Sequence, residues 1–464
     1  MNSRMFDRYK PWLLFIGLAG ILSAQSSTSS VYFRIALTGD SIIDRRLSVY
    51  EEPEYLRMFE RIRSADAAFT NFEMLVHDFE FSGEAVSGGT YMGAPPWVID
   101  ELKWAGFRLF GTANNHSLDF GTGGLLSTIR HMEQAGAVYA GTGENLARAR
   151  APGYLDTKKG RVALIACAST FSIFSPAGEQ RPDMKGRPGL NPLHFRTTYT
   201  VEPATLASLR ALAKLSGPVG EGAPRSDGDF RFLGATFRAG DKPGVATEPD
   251  ARDLKAITST VSEARRQADW VMVSIHAHEA AQGDREMPAQ FLVTFAHAAI
   301  DAGADLLAGH GPHVLRGIEI YKGKPIFYSL ANFIFESETV RFQPQESYDQ
   351  QGLSFSAMPG DFFDARSAKD TRGFPADHEY WESVVAEAAF NERRELQQIN
   401  LYPISLGHGK SRTERGRPAP AEGLLASQII DRAAKLSKRL GTNVEFEDGR
   451  GVVRMASAQI TKKP

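Results

Sequence analysis

The sequence predicts an α/β fold with a large share of parallel sheet. Short apolar runs that fit strands alternate along the chain with segments whose apolar residues recur at helical spacing, and this alternation is typical of strand–helix–strand units. Two helical segments are followed by Gly106 and Gly136, and glycine is the residue that most often ends a helix. A third observation is that polar side chains collect where the predicted strands end.

The strands and helices are expected in a regular order. The strands are predicted at 31–40, 66–73, 107–116, 161–169, 269–279 and 305–313. The helices are predicted at 54–65, 96–106, 123–136, 253–268 and 288–303. The strand segments are short and apolar, whereas the helical segments are longer and amphipathic, which is how the two are told apart.

Two segments interrupt this alternation. Residues 172–250 are rich in Gly, Pro and Asp, with a short helix at 203–215 and a hairpin-like pattern at 229–241, and they are expected to be an insertion. Residues 336–392 are polar with scattered aromatic residues. We therefore predict one main domain over 33–336, and a segment 337–464 in which a polar insertion and a C-terminal strand–helix–strand complete the same domain.

The first 26 residues have the layout of an export signal. Arg4, Arg8 and Lys10 precede an apolar stretch at 11–22, which small and polar residues follow. The stretch is too short for a spanning helix, which needs about 20 apolar residues. We expect a signal peptide or a short N-terminal anchor at 1–26 and a protein that is periplasmic, secreted or held on the outer face of the membrane. Membrane contact is expected only through the N-terminus, if it is not cleaved.

The composition excludes some classes of protein. Hydrophobic residues make up 42% and charged residues 23% of the 464 residues, which is typical of globular proteins rather than disordered ones. The net charge of −2 disfavours nucleic acid as a partner, because phosphate-backbone binding calls for a basic surface. The single cysteine, Cys167, lies in an apolar run, where a buried structural role is expected rather than a nucleophilic one.

Metal-capable side chains gather at the carboxyl ends of five predicted strands. The residues are Asp40; Asn71 and Glu73; Asn114, Asn115, His116 and Asp119; His276, His278 and Glu279; and His310 and His313. In open α/β sheets this edge binds ligands, because strand ends and helix N-termini converge there. A turn or a cap explains each residue taken alone, but the shared placement favours one site.

The types of these side chains indicate divalent metals. Carboxylates, imidazoles and an amide oxygen suit Mn, Fe, Zn or Mg. About six ligands are too many for one tetrahedral ion and enough for two ions that share a carboxylate, and ion pairs about 3.5–4 Å apart hydrolyse phosphate esters. His116 could then act as a general acid toward a leaving group, with Asp119 orienting it.

The ordered motifs resemble those of a known family. The segments "LTGD", "TNFE", "ANNHSLDFG", "VSIHAHE" and "GHGPHVLRGIEIYKGKPIFYSLANFIF" resemble the CapA family of capsule and poly-γ-glutamate biosynthesis proteins, which in turn resembles the calcineurin-like metallophosphatases. The resemblance covers residues 33–336, and its last and third motifs are the most specific. It implies an α/β two-sheet sandwich flanked by helices, a four-layer αββα arrangement, with a metal site at the sheet edge.

The resemblance also implies roles for single residues. One or two divalent ions would be bound, and the catalytic pair would be His116 and Asp119. The metal ligands by motif position would be Asp40, Glu73, Asn115, His276, His310 and His313. Three departures from the phosphatase pattern are Ile42 in place of a first-strand histidine, Glu73 in place of a bridging aspartate, and Gly-His-x-x-His in place of Gly-His-x-His. The role of His278 is open: an extra ligand, a substrate contact, or neither.

The resemblance implies an exported protein that acts in capsule or poly-γ-glutamate synthesis or processing by metal-assisted hydrolysis or transfer. Its substrate would be an anionic polymer or a small molecule, and other capsule-synthesis proteins would be partners. Two alternatives stay open. One is an exported metallophosphoesterase that acts on a small or envelope phosphate ester. The other is a noncatalytic polymer-binding envelope protein, which the absence of a histidine at position 42 favours.

Overall fold

The computed structural model describes residues 31–215 and 228–455. The predicted targeting segment, 1–26, lies outside the described residues. Within these two ranges, no helix is long and apolar enough to cross a membrane.

The strands of the described ranges are short, apart from those at the centre of the sheets. In chain order they are β1 (Phe33–Ile42), β2 (Ala67–Phe72), β3 (Leu75–Val76), β4 (Gly93–Ala94), β5 (Leu109–Gly111), β6 (Val138–Ala140), β7 (Thr142–Gly143), β8 (Gly153–Thr157), β9 (Gly160–Ala168), β10 (Gly189–Leu190), β11 (Phe195–Val201), β12 (Phe230–Phe232), β13 (Ala235–Ala239), β14 (Gly244–Pro249), β15 (Trp270–His276), β16 (Ala280–Ala281), β17 (Asp284–Pro288), β18 (Leu306–His310), β19 (Ile318–Tyr321), β20 (Lys324–Phe327), β21 (Asn332–Phe335), β22 (Glu382–Phe390), β23 (Leu396–Ser405), β24 (Ala419–Pro420), β25 (Glu445–Glu447) and β26 (Arg450–Arg454).

The helices alternate with these strands through much of the chain. They are α1 (Pro53–Ser64), α2 (Val98–Ala105), α3 (Gly121–Gln134), α4 (Leu146–Arg150), α5 (Pro203–Leu215), α6 (Ala251–Gln267), α7 (Gln290–Asp301), α8 (Gln345–Gln350), α9 (Pro359–Ser367) and α10 (Gly423–Lys438). Gly106, just after α2, has a φ of 111°, a backbone conformation that favours glycine.

Two large sheets carry the fold. The first has ten strands, eight of them in the order β25-β26-β23-β22-β1-β2-β5-β6, with β21 also paired to β1 and β24 to β23. The second has six strands in the order β19-β20-β18-β15-β9-β8. In the first sheet β1, β2, β5 and β6 are parallel, and in the second β9, β15, β18 and β20 are parallel. The carboxyl ends of these parallel strands carry the polar residues singled out in the sequence.

The side chains of the central strands alternate between the core that separates the two sheets and the outer face of each sheet. In β9, Leu164 and Ala166 face the core between the two sheets, where they join Ile35 and Phe69 of the first sheet. The intervening Ile165 packs on the opposite face of the second sheet. A strand that is apolar at every position can bury both faces in this way, because successive side chains point to opposite sides. The sheets are therefore covered on both sides.

Helices form the two outer layers. On the first sheet, α1 and α2 pack through Phe59, Ile62 and Leu102. On the second sheet, α6 and α7 pack through Val261 and Phe295. The α/β sandwich predicted for this chain is confirmed, and its layers run helix, sheet, sheet, helix. Cys167 is fully buried in the outer layer of the second sheet.

The C-terminal part joins the first sheet. Strands β22 and β23 pair with each other along their lengths, and β22 is antiparallel to β1. Helix α10 lies on the inner face, where Ile429 and Leu436 pack in the core between the sheets. The polar segment predicted at 336–392 is thus shorter than expected, because Glu382–Phe390 form a buried strand next to β1. Its alanines and glutamates carry little strand signal in the sequence.

All six predicted strands have somewhat different bounds in the structure, and two of the differences change where a site residue lies. Strand β1 continues past Asp40 to Ile42, because Ser41 and Ile42 pair with β21 beyond the end of the β22 pairing. The third predicted strand, 107–116, is only Leu109–Gly111, and Asn114–Asn115–His116 lie in the turn that follows. Asp40 is therefore inside a strand, and His116 is outside one.

The predicted insertion folds into a small sheet of its own. The hairpin expected at 229–241 is present as β12 and β13, and β11 and β14 extend it to the order β12-β13-β11-β14. Helix α5 covers the predicted helical segment. None of the metal-capable clusters found in the described residues includes a residue of this small sheet.

Candidate metal centre

Asp40 is the fully buried centre of the site. Its Cα pairs with Asn71 of β2 on one side and with Asn332 of β21 on the other. Its Oδ1 accepts a hydrogen bond from Asn71 Nδ2 at 2.8 Å, and its Oδ2 accepts one from the Gly311 backbone nitrogen at 3.0 Å. The second bond comes from the turn after β18, so Asp40 joins the two sheets.

Gly39 explains how β1 reaches this position. A Cβ atom at Gly39 would lie 1.8 Å from the backbone oxygen of Ala331. Ala331 itself has a φ of 53°, a conformation that is uncommon for a residue other than glycine. The backbone before Asp40 is therefore packed directly against the residue before Asn332, and only glycine fits.

Two histidines from the second sheet face Asp40. His276 and His310 are register partners at the ends of β15 and β18. The Nδ1 atoms of the two rings are 3.1 Å apart, and they lie 3.7 Å and 3.4 Å from Asp40 Oδ1. His310 Nε2 is 2.8 Å from Ser274 Oγ, so a neutral ring that donates from Nε2 presents the lone pair of Nδ1 to the cluster.

His313 completes this side of the cluster. It adopts a φ of 61°, which turns the chain back after the Gly-His-x-x-His motif. Its Nδ1 is 2.8 Å from Asn332 Oδ1 and 3.4 Å from Asp40 Oδ2. Asn332 Nδ2 donates to the His313 carbonyl oxygen at 3.3 Å, so Asn332 orients this histidine.

Glu73 is buried without a partner. Neither of its carboxylate oxygens has a hydrogen-bond partner among the described residues. Its Oε1 lies 3.8 Å from His116 Nε2 and 3.8 Å from His276 Nε2. A buried carboxylate without partners is costly, and a cation beside it would remove that cost. Burial and then the charge of Asp40 raise the pKa of Glu73 well above its usual range, which a divalent ion would reverse.

His116 and Asp119 form a pair beside Glu73. His116 Nδ1 is 2.6 Å from Asp119 Oδ2. Asp119 also accepts hydrogen bonds from the backbone nitrogens of Gly88 and Met92, at 3.1 Å and 2.9 Å. These bonds fix the carboxylate, and the carboxylate fixes the imidazole, so that Nε2 points toward Glu73.

The two asparagines of the same turn differ. Asn114 is fully used by the turn, because its Oδ1 accepts from the His116 backbone nitrogen at 3.1 Å and its Nδ2 donates to Phe72 at 3.0 Å. Asn115 Nδ2 donates to the Gly88 carbonyl at 3.2 Å, but its Oδ1 is buried without a partner among the described residues. Asn115 is therefore the one with an amide oxygen left to bind a ligand.

His278 lies at the cluster as well. Its Nε2 is 3.0 Å from His276 Nε2, and Glu73, His276 and His278 form one of three groups in the described residues that could hold a metal. The others are Asp40 with His276 and His310, and Asp40 with Glu73 and His313. Ile42, by contrast, is buried in the apolar cluster under α1 and α2. Of the possible roles of His278, its position fits an extra ligand.

The electrostatics of the cluster favour a bound cation. Burial acts to raise the pKa of Asp40, but its contacts with His310 and His313 outweigh burial and hold the pKa well below its usual range. Burial lowers the pKa of His276 well below its usual range and that of His278 to about 3. The rings are therefore neutral at neutral pH and available as ligands.

The residues present fit a divalent metal. Imidazole nitrogens, the carboxylate of Asp40 and the oxygens of Glu73, Asn71 and Asn115 that have no hydrogen-bond partner in the described residues form the donor set. The structure brings Asp40, Glu73, His276, His310 and His313 together, with His116 and Asp119 beside them. Assignment of these residues as ligands and as catalytic pair stays a prediction, as do the identity and number of ions.

Sequence reasoning missed Ser274 and gave no role to Asn71. Ser274 stands in a strand that is otherwise apolar, two residues before His276, and holds His310. Asn71 Nδ2 bonds Asp40 and lies 3.4 Å from His276 Nδ1. A lone polar residue in a buried strand, at even spacing from a candidate ligand, is the signal that could have found Ser274.

Comparison with known proteins assigns a family. A family model described as "Bacterial capsule synthesis protein PGA_cap" matches residues 34–337. The uncharacterized protein y4sH of Sinorhizobium fredii (strain NBRC 101917 / NGR234) is 37% identical over 439 residues, covering 91% of this chain and 93% of that protein. The capsule biosynthesis protein CapA of Bacillus anthracis is 26% identical, covering 60% of this chain and 53% of that protein.

A second named relative agrees. The PGA biosynthesis protein CapA of Bacillus subtilis (strain 168) is 27% identical over 52% of this chain and 46% of that protein. The chain thus spans about half the length of the two relatives named CapA. All of the predicted ligands and the catalytic pair lie inside the residues matched by the family model. The chain therefore belongs to the bacterial capsule synthesis protein PGA_cap family, as its motifs predicted, and this membership supports a capsule-associated function.

Proposed function

We propose that this protein is an exported, divalent-metal-dependent hydrolase that acts in the synthesis or processing of a capsule polymer such as poly-γ-glutamate. The observation that carries the proposal is the position of Glu73. Its two oxygens are buried between the imidazole cluster and the His116–Asp119 pair, and no residue of 31–215 or 228–455 forms a hydrogen bond with them. A merely structural site would satisfy this carboxylate with hydrogen bonds.

The chain's own residues have distinct tasks in this proposal. When bound, a divalent ion supplies Lewis-acid polarisation and a hydroxide nucleophile near neutral pH. Asp40, Glu73, His276, His310 and His313 hold it, with Asn115 and His278 as further donors. His116 holds a proton at Nε2 for the leaving group, and Asp119 keeps the ring in that orientation through the 2.6 Å contact at Nδ1.

Metal analysis and activity test the proposal together. The full chain would be expressed with its N-terminus, purified, and measured for Mn, Fe, Zn and Mg by elemental analysis. Activity would be followed by the chain length of poly-γ-glutamate. We expect His276→Ala with His310→Ala to lose metal and activity, and His116→Ala to keep metal and lose activity. Protein that repeatedly contains no metal, and a double variant that keeps full activity, would contradict the proposal.

Export is tested on its own. The basic, apolar and small-residue layout of 1–26 supports it. Cell fractionation of the full chain should place it in the periplasm, the medium or the outer membrane face. Replacement of Arg4, Arg8 and Lys10 by glutamate should hold it in the cytoplasm. Cytoplasmic retention of the unaltered chain would refute export.

The same preparations separate the alternatives. A phosphoesterase would cleave phosphate mono- or diesters with Mn²⁺ and ignore poly-γ-glutamate. A noncatalytic polymer-binding protein would bind the polymer equally well as Asn115→Ala and His116→Ala variants. His278 lies near Glu73 and His276, so it offers a metal ligand that can replace the histidine missing at position 42. This argues against the noncatalytic alternative, which rests on that missing histidine.

A further inference from the structure

A cavity of about 530 Å³ lies beside the candidate metal centre. Its walls include Thr90, Phe363, Arg366, Phe374 and Tyr380. Several come from α9 and from the two 3₁₀ turns, Phe374–Ala376 and His378–Trp381. These elements belong to the polar segment that sequence reasoning could only describe as an insertion.

One residue that lines the cavity is in direct contact with His313. The Phe374 ring packs edge-on against the His313 ring, with centroids 5.4 Å apart. The Tyr380 carbonyl accepts a hydrogen bond from Asn332 Nδ2 at 3.0 Å, and Asn332 holds His313. A molecule in the cavity therefore lies against residues that position a predicted ligand.

Another lining residue lies near the turn that carries Asn115 and His116. Thr90 is two residues after Gly88, whose carbonyl accepts from Asn115 and whose nitrogen donates to Asp119. A Cβ at Gly88 would lie 2.6 Å from Asn115 Nδ2, so this segment is packed tightly on that turn. The cavity is thus lined by residues close to His313 and by a residue close to the Asn115–His116 turn.

Arg366 gives the cavity its charge. Its guanidinium donates to the Thr90 hydroxyl, and no carboxylate in the described part of the chain forms an ion pair with it. The acids that share the cavity are already bound: Glu338 lies 2.7 Å from Arg415, and Asp377 lies 2.8 Å from Arg285. Burial lowers the pKa of Arg366, and the charge of Glu338 acts in the opposite direction. A partly buried guanidinium that no carboxylate contacts directly is a receptor for an anion.

The second arginine of the cavity has a structural role. Arg372 donates from Nε to the Arg366 carbonyl at 3.0 Å and from Nη2 to the Ala365 carbonyl at 3.1 Å. These are carbonyls at the end of α9, so two of the five N–H donors of Arg372 hold the end of this helix. One guanidinium beside Phe363, Phe374 and Pro375 matches a singly charged group on a short aliphatic chain better than a phosphate dianion.

We propose that this cavity is a substrate subsite in which Arg366 binds a carboxylate while Phe363 and Phe374 pack on the adjoining methylene groups. The subsite adds a substrate contact to the proposed function. The subsite proposal depends on the proposed function in one respect, because it takes the neighbouring metal centre as the place of reaction. A polymer of γ-linked glutamate presents such carboxylates at regular intervals.

Direct binding tests the subsite apart from catalysis. Isothermal titration would use the full chain after treatment with chelator, and the probe would be a γ-linked glutamate hexamer. A second probe would be the same hexamer with its α-carboxylates converted to amides, and inorganic phosphate would be a third. The variants would be Arg366→Gln, Arg366→Lys and the matched control Arg130→Gln, since Arg130 also donates to a hydroxyl, that of Ser127, and does not line the cavity.

The subsite predicts a specific pattern. Arg366→Gln should weaken hexamer binding about ten- to hundredfold, equal to about 1.4–2.8 kcal/mol, Arg366→Lys should weaken it less, and Arg130→Gln should leave it unchanged. The amide probe should bind the unaltered protein as weakly as the hexamer binds Arg366→Gln. Equal binding of both probes, no hexamer binding, or equal effects of the Arg366 and Arg130 variants would overturn the subsite. Arg366-dependent binding of phosphate that exceeds hexamer binding would overturn the carboxylate assignment.

Hydrolysis assays distinguish the two proposals. If the protein binds the hexamer through Arg366 but cleaves nothing in the presence of Mn²⁺, catalysis fails and the subsite stands. If the protein cleaves the polymer and Arg366→Gln changes neither Kd nor KM, the subsite fails and catalysis stands.

Discussion

The two large sheets bring different chemistry to the same edge. The first sheet and its following turns supply oxygen, from Asp40, Asn71, Glu73 and Asn115. The second supplies nitrogen, from His276, His278 and His310, with His313 in the turn after β18. Burial keeps the pKa of His276 low, whereas contacts with histidines of the second sheet keep the pKa of Asp40 low. Each of the three groups in the described residues that could hold a metal combines residues from both sheets.

The largest expected effect comes from breaking the link between the two sheets at Asp40. Asp40→Asn puts an amide where the carboxylate accepts from Asn71 and Gly311. We expect metal affinity to fall by more than about a hundredfold, since a ligand is lost and its neighbours are disturbed. Chelator competition measures this. Asp44→Asn is the control, because Asp44 is buried nearby but bonded to Thr339, and equal metal affinity in both variants would contradict the assignment.

The next effect concerns the backbone under Asp40. Gly39→Ala should lower the free energy of unfolding by about 3 kcal/mol, because its Cβ would overlap the Ala331 carbonyl. Urea denaturation would measure the loss. Gly360→Ala is the matched control, since no atom lies within 4 Å of a Cβ there. If both alanine variants were equally stable, the close approach would not matter to the fold.

A smaller effect is expected from the support of His310. Ser274→Ala removes the hydroxyl that lies 2.8 Å from Nε2, and loss of such a contact weakens metal affinity by about tenfold or more. Ser437→Ala is the control, because its buried hydroxyl bonds the Ile318 nitrogen and the Ala433 carbonyl, away from the cluster. Both variants should lose some stability. Metal affinity that stays unchanged in Ser274→Ala would show that His310 needs no support.

The smallest effect is on a histidine–aspartate pair outside the centre. His194 Nδ1 lies 2.6 Å from Asp253 Oδ2, the same distance as in the His116–Asp119 pair, but the His194 side chain is 51% exposed. The hydrogen bond to Asp253 raises the pKa of His194. Because the pKa of His194 is higher in the folded than in the unfolded protein, the pair contributes its full free energy of stabilisation below the ordinary histidine pKa, about 6.5. This contribution is lost as the pH rises through the pKa of His194 in the folded protein.

Denaturation at several pH values tests this pair. Asp253→Asn should destabilise the protein more at pH 6 than at pH 8, with a difference of at most about 0.5–1 kcal/mol because solvent screens His194. The loss of the 2.7 Å ion pair between Arg150 and Asp253 adds the same cost at both pH values. Asp119→Asn should instead change the pH dependence of activity. A loss of stability in Asp253→Asn that grows with rising pH would contradict the sign of the shift.

The sequence was informative about the layers and the ligand types, and less so about contacts across the sheets. Hydrophobic periodicity and glycines located most of the helices and strands, and polar residues at strand ends located most of the cluster. Strand β22 could not be recognised, because its three alanines, two glutamates and one serine interrupt the apolar pattern, and it is a strand through its pairing with β1 and β23. The roles of Ser274, Asn332 and His278 depend on register between strands far apart in the chain, which no local pattern encodes.

The hydrogen bond between Asp40 and Gly311 joins residues 271 positions apart, and β1 pairs with β22 over a still longer separation. Contacts between such distant parts of a chain form slowly, because a long loop must close first. Strand β1 can pair with β2 early in synthesis, but its contacts with Gly311 and β22 must wait until residues 311–390 exist. Metal uptake would then belong to the finished protein rather than to the growing chain, so the compartment where folding ends would decide which ion is bound.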